Sequence, residues 1–206
     1  MAEEAKLQAT EEMAAYCFDV LIACLKGMEA AAPSFDTSPQ CPLFVTWHTQ
    51  RYSRNGQVER KNLRGCIGTL SAKPISSLQD YTYSSAFRDS RFSPIALVEV
   101  PSLHCAVSLL VNYQQATHLQ DWEIGVHGIL IHFSVGGVEY SGTYLPEVAK
   151  EQGWNHMEAI ESLIRKAGYR RTITKQVLES VSVTRYQSSK TGVDYRQYCA
   201  MRNIQC

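Results

Sequence analysis

The chain has 206 residues, 45% of them hydrophobic and 19% charged, and its 20 basic and 20 acidic side chains cancel at pH 7. That length and apolar content support a sizeable core, in one domain or two small lobes. The neutral balance gives no global pull towards nucleic acid or an anionic membrane, so neither is expected as a partner on charge.

In chain order, Met1–Lys6 is acidic and polar, with no basic start leading into an apolar stretch, and the longest early apolar run, Val20–Leu25, is far too short to span a bilayer. An intracellular protein, cytoplasmic and/or nuclear and without a membrane partner, is the expectation. Met13, Tyr16, Cys17, Val20, Leu21, Cys24, Leu25 and Met28 recur at helical spacing, so a core-facing helix is predicted there. Leu43–Tyr52 reads as a strand, Asn55-Gly56 as a hairpin turn, and Val58–Leu70 as the return strand. Within that return lies the run Leu63-Arg64-Gly65-Cys66-Ile67-Gly68, expected at a loop-to-strand entry and anchored in the core by Leu63 and Ile67. Ile75–Ala86 suggests a helix ending in the polar loop Asp89–Pro94. Leu103–Val111 alternates as a strand, and Val126–Phe133 with Val138–Leu145 forms a hairpin across Gly136-Gly137. Pro146 suits a first helical turn, and Asn155 with Glu158 resembles a capping box that opens a helix closing at Gly168. A helix over 174–180, a strand over 181–187 and a helix over 194–202 complete an α+β pattern, helices packed on antiparallel sheet. The seven cysteines are an odd set without CxxC spacing, which predicts reduced, mostly buried thiols and no metal site.

Beyond Leu63–Gly68, three blocks carry a family resemblance: Asp89-Ser90-Arg91-Phe92, Trp122–Ile129, and Thr143–Gln152. In this order they resemble the AMMECR-one domain family, in its eukaryotic spelling, over nearly everything from Thr10 onward. Ser93-Pro94 departs from a family Pro-Pro. The resemblance implies two unequal lobes, each an antiparallel sheet with flanking helices, around an interlobe cleft faced by the signature. The larger lobe is placed at about 1–115 plus 181–206 and the inserted smaller lobe at about 116–180. Leu63, Arg64, Gly65, Cys66, Ile67, Gly68, Asp89, Arg91 and Thr143 are the expected cleft residues.

Two chemistries compete for these residues. In the enzymatic one, Cys66 is a nucleophile, His127 its general base and Glu123 or Asp89 the orienter, while Arg64, two positions away on the same face of a regular strand, lowers the thiol pKa. In the other, Cys66 is a small core residue, His127 bonds a nearby carbonyl, Asp89 and Arg91 pin their own loop, and Thr143 and Glu147 serve a helix start. The chain then binds a protein or other macromolecule in the cleft without altering it. Scattered titratable groups and the lack of a complete catalytic motif favour binding. No phosphate-cradling loop or dinucleotide fingerprint is present, so no cofactor is expected. The family's prokaryotic association with Memo-like and radical S-adenosylmethionine proteins implies a Memo-like partner or an accessory part in RNA base modification, by analogy only.

Overall fold

The computed structural model describes residues 7–53 and 55–205; the polar start expected over Met1–Lys6 lies outside them. In chain order the elements are α1 (Glu11–Leu25), β1 (Gln40–Tyr52), β2 (Val58–Pro74), α2 (Leu78–Phe87), β3 (Leu103–Gln115), β4 (Gly128–Val135), β5 (Val138–Tyr144), α3 (Pro146–Gln152), α4 (His156–Lys166), α5 (Lys175–Ser180), β6 (Ser182–Asp194) and α6 (Tyr195–Arg202), with a 3-10 turn over Leu97–Ser102 before β3. This is the expected mixture of helices and antiparallel sheet: β1 pairs antiparallel with β2 and β3, and β4 with β5 and β6. Along the hydrogen bonds the strands run β2-β1-β3-β6-β4-β5, which makes β2 an edge strand. Two compact units divide the chain, Met1–Leu109 with Ser189–Cys206, and Leu110–Ser188.

In the first unit, Thr10 caps α1 by accepting from the Met13 amide, and Glu11 and Glu12 sit in the first turn, where the helix dipole favours them. The buried face of α1 presents Cys17, Phe18 and Leu21 to a core containing Trp47, Leu43, Leu78 and Leu109. The Phe18 and Trp47 rings meet edge to face at 5.1 Å. Trp47 spends its one polar atom well, since Nε1–H donates to Ser85 Oγ of α2 at 3.1 Å. Arg202 of α6 bridges Glu12 and Asp19 of α1, fastening the last helix to the first.

In the second unit, β4 and β5 meet at Gly136 and Gly137, both in the left-handed region, as a tight two-residue hairpin requires. Ile129, Ile131 and Phe133 of β4 pack against Ile160, Leu163 and Ile164 of α4. Pro146 opens α3, as expected. The capping box predicted for α4 is reciprocal: the Glu158 amide donates to Asn155 Oδ1 at 3.0 Å and the Asn155 amide to Glu158 Oε2 at 2.8 Å. Asn155→Ala is expected to lower stability by about 1 kcal/mol, read as a lower midpoint in urea with an unchanged slope.

Three local expectations change. The signature does not begin a strand but lies in the middle of β2, whose 17 residues extend well past Leu70. Leu63 is not a core anchor: it is 40% exposed, because the half of β2 that contains it runs out along the sheet edge. Cys199 is disulfide-bonded, against the expectation of thiols throughout, whereas Cys17, Cys24, Cys41, Cys66 and Cys105 are free.

Candidate functional site around the signature strand

The register between β1 and β2 explains how the signature is built. Trp47 lies opposite Gly65 and His48 opposite Leu63, so Arg64 is the extra residue of a β-bulge. A bulge re-aims a side chain and breaks the alternation of a regular strand. The geometry that would have set Arg64 beside Cys66 on one face is therefore interrupted. Arg64 turns to the 3-10 turn instead. Its Nε and Nη2 donate to the two carboxylate oxygens of Glu99 at 2.8 and 3.0 Å, and Nη1 and Nη2 also donate to the carbonyls of Ser93 and Pro94 at 2.8 and 3.3 Å. With its side chain only 12% exposed, Arg64 is a structural clamp between β2 and the segment leading to β3. Its guanidinium holds the Glu99 carboxyl below the usual carboxylate range.

Gly65 is obligatory for space rather than for conformation. A Cβ there would lie 2.1 Å from the Ser85 carbonyl oxygen of α2. The same closeness lets Ser85 meet Trp47 beneath the strand. Gly68 lies opposite Phe44, and a Cβ at this position would lie 2.3 Å from the Leu43 carbonyl oxygen.

Cys66 is half-buried, and its Sγ shares a hydrogen bond of 3.2 Å with Thr46 Oγ1, its cross-strand partner. Its backbone groups point away from β1 and are covered by the Asp89–Arg91 loop. The Cys66 amide donates to Asp89 Oδ2 at 2.9 Å, and Arg91 Nη2 donates to the Cys66 carbonyl at 3.2 Å. Asp89 also accepts from the Arg91 amide, Nε and Nη2 at 3.2, 2.9 and 2.7 Å. The pair does pin its own loop, as expected, but it also caps the strand edge at one residue. The Arg91 guanidinium bonded to it, together with these amides, holds the Asp89 carboxyl far below the usual carboxylate range, although Asp89 is only 6% exposed.

The remaining predicted residues lie in the second unit. His127 closes a turn with Glu123: its Nδ1 accepts from the Glu123 amide at 3.1 Å, and its own amide donates to the Glu123 carbonyl at 2.9 Å. An accepting Nδ1 places the ring proton on Nε2, so His127 receives an amide where donation to a carbonyl was expected, and Glu123 holds it through the backbone rather than the carboxylate. Thr143 takes no part in capping α3, whose N-cap is Leu145. Its Oγ1 donates to the Ile129 carbonyl at 2.8 Å and lies 2.9 Å from the hydroxyl of Tyr186, which packs where a Cβ on Gly128 would stand.

The structure thus brings Arg64, Gly65, Cys66, Asp89 and Arg91 together around β2 in the first unit, while Glu123, His127 and Thr143 belong to the second. Glu99 and Thr46, central to this geometry, were not foreseen from sequence. Among the described residues, no group of three or more His, Cys, Asp and Glu side chains is placed to hold a metal ion, and no helix is long and apolar enough to cross a membrane.

The chain is similar to proteins of several organisms. An uncharacterized protein of Arabidopsis thaliana is 46% identical over 195 residues, covering 93% of this chain and 88% of that one. One of Schizosaccharomyces pombe is 40% identical over 193 residues, covering 91% and 94%. A crystal structure of an uncharacterized Pyrococcus horikoshii protein superimposes with a TM-score of 0.67 at 22% identity, covering 91% of this chain and 92% of that one, so the fold is shared. The sequence profile of the AMMECR1 family matches residues 14–191, and the chain belongs to that family.

Proposed function

We propose that the chain is a macromolecule-binding module, and that its signature strand is a rigid surface for a partner rather than a catalytic motif. The observation that carries this reading is where the signature's charges go. Arg64 is consumed by Glu99 and two carbonyls, and Asp89 and Arg91 are spent on each other and on the backbone of Cys66. Conventional thiol activation needs a base or cation directed at the sulfur, and the hydrogen bond made by Cys66 Sγ is to a neutral hydroxyl. Such a motif stiffens an edge strand and holds its backbone in place.

A second reading keeps Cys66 as a nucleophile, with His127 as base and Glu123 as orienter. One observation favours it: Arg91 Nη2 donates to the Cys66 carbonyl at 3.2 Å, which brings a cation to this residue. Alkylation of Cys66 as a function of pH separates the two. Under the binding reading the alkylation profile of Cys66 is the same in wild type and Arg91→Ala, and Cys66→Ser keeps whatever stoichiometric complex the wild type forms in extracts of its source cells, seen as a shared shift in elution volume. Rapid alkylation below pH 6 that is lost in Arg91→Ala, from a chain that elutes alone, would replace binding with thiol chemistry.

A further inference from the structure

The outer half of the β1–β2 hairpin has features that the signature does not use. From Val58 to Leu63 every residue of β2 is exposed, and no described strand lies beyond β2 on that side. The backbone there is an ordered ladder member, paired with β1 through Val58, Arg60, Lys61, Asn62 and Leu63. Because the Cys66 backbone groups point outward and β1 alternates without a bulge of its own from Leu43 to Arg51, the residues opposite Gln50 and His48 also point their amides and carbonyls outward. Those residues are Lys61 and Leu63. At Cys66 the protein supplies a substitute for a missing neighbour, through Asp89 and Arg91.

The charge on this edge is mainly basic: Arg51, Arg60 and Lys61 outnumber Glu59, the acidic residue within Val58–Leu63. Arg51 and Arg60 stand directly opposite each other on one face, an arrangement that costs stability unless an anion intervenes. On the other face, partial desolvation and Lys190 hold the Lys61 ammonium below its usual range, and His48 and His104 pair across β1 and β3 beneath it. Arg196 lies over the Tyr52 ring at 4.9 Å on the same hairpin, while Asp194 accepts from the Tyr52 hydroxyl and caps α6. A cationic edge repels a second copy of itself, so it is protected against self-pairing while remaining open to a strand of opposite charge.

We propose that the Val58–Leu63 edge takes up an extended acidic segment of a partner protein as an added β-strand. Backbone groups of Lys61 and Leu63 supply the hydrogen bonds, and alternate acidic side chains of the incoming strand lie between Arg51 and Arg60 on one face and over Lys61 on the other. The inference rests on the binding reading and names the class of ligand for it.

The test uses the full chain and three fluorescent probes: an eight-residue peptide alternating Asp and Val, its Lys and Val counterpart, and a twelve-nucleotide oligothymidylate. The acidic peptide is expected to bind with salt-sensitive affinity and to slow hydrogen exchange at the amides of Lys61 and Leu63, leaving those of Arg60 and Asn62, already bonded to β1, unchanged. Lys61→Glu, a change at an exposed site, and Leu63→Pro, which removes one outward amide without touching the ladder to β1, should each weaken binding at least about tenfold. The basic peptide should not bind. Unaltered exchange at Lys61 and Leu63, or oligothymidylate binding that Leu63→Pro leaves intact, overturns the proposal. If wild type and Lys61→Glu retain the same stoichiometric partner in cell extracts, the edge is excluded while the binding reading stands; if the wild type has no such partner, the binding reading itself fails.

Discussion

Asp89→Ala is expected to destabilise the protein by about 3 kcal/mol, measured as a loss of unfolding free energy in urea at neutral pH. The carboxylate accepts from the Cys66 amide and from three nitrogens of Arg91, and alanine leaves all of them without it. Removing one member of a fully buried pair costs about 3–5 kcal/mol, but the Arg91 side chain is 54% exposed and rehydrates, so the lower end applies. The same group sets an acid dependence. Its folded-state pKa lies well below its unfolded value of about 3.9, so its contribution is fully present above that value and is lost as pH falls through the folded pKa. Glu99, held low by Arg64, adds a contribution of the same sign. The wild type should therefore lose stability between about pH 5 and pH 2 more steeply than Asp89→Asn, which has no charge to titrate at that position. Parallel acid limbs for the two proteins would show that the carboxylate is not the anchor of this loop.

Gly65→Ala should cost more than an ordinary glycine substitution, about 3 kcal/mol or above, and lower the melting temperature by roughly 10 °C in a chain of this size. The steric contact is with backbone: the Ser85 carbonyl oxygen belongs to the last full turn of α2 and cannot rotate away as a side-chain tip would. Relief requires α2 to lift from β2, which pulls Ser85 from Trp47 Nε1 and opens the Phe18–Trp47 contact at the centre of the first unit. Gly56→Ala provides the contrast, since a Cβ at this position meets nothing within 4 Å and the cost comes only from a φ of +81°. Its expected loss is about 1 kcal/mol. If Gly65→Ala melts with Gly56→Ala, α2 does not press on the strand as described.

What could be read beforehand follows the range of the interaction concerned. Thr10, Pro146, the Asn155 and Glu158 pair and the Gly136-Gly137 turn act on backbone within four residues, so their chemistry is written next to its effect. The motif itself was visible for a similar reason, since Gly65 and Gly68 mark close approach whatever approaches them. What approaches was not visible. Glu99 is 35 residues from Arg64, Ser85 is 20 from Gly65, and Asp89 is 23 from Cys66. The bulge depends on the register of two strands, which no single stretch encodes, and it alone decides that Arg64 leaves the face it would share with Cys66. Thr143 misled in the opposite way: its position near Pro146 suggested a local role, whereas its hydroxyl answers Ile129 and Tyr186 across the sheet.

The bulge at Arg64 also divides the hairpin into two mechanically separate parts. A slip of one residue anywhere between Val58 and Leu63 would invert every side chain of that stretch, but it would have to pass a kink whose arginine is held by four hydrogen bonds. Errors or length changes in the Ser53–Gln57 turn are therefore absorbed before they reach Gly65. The distal hairpin is free to vary in length and composition over evolutionary time, while the strand behind the kink keeps its alignment with β1 and α2.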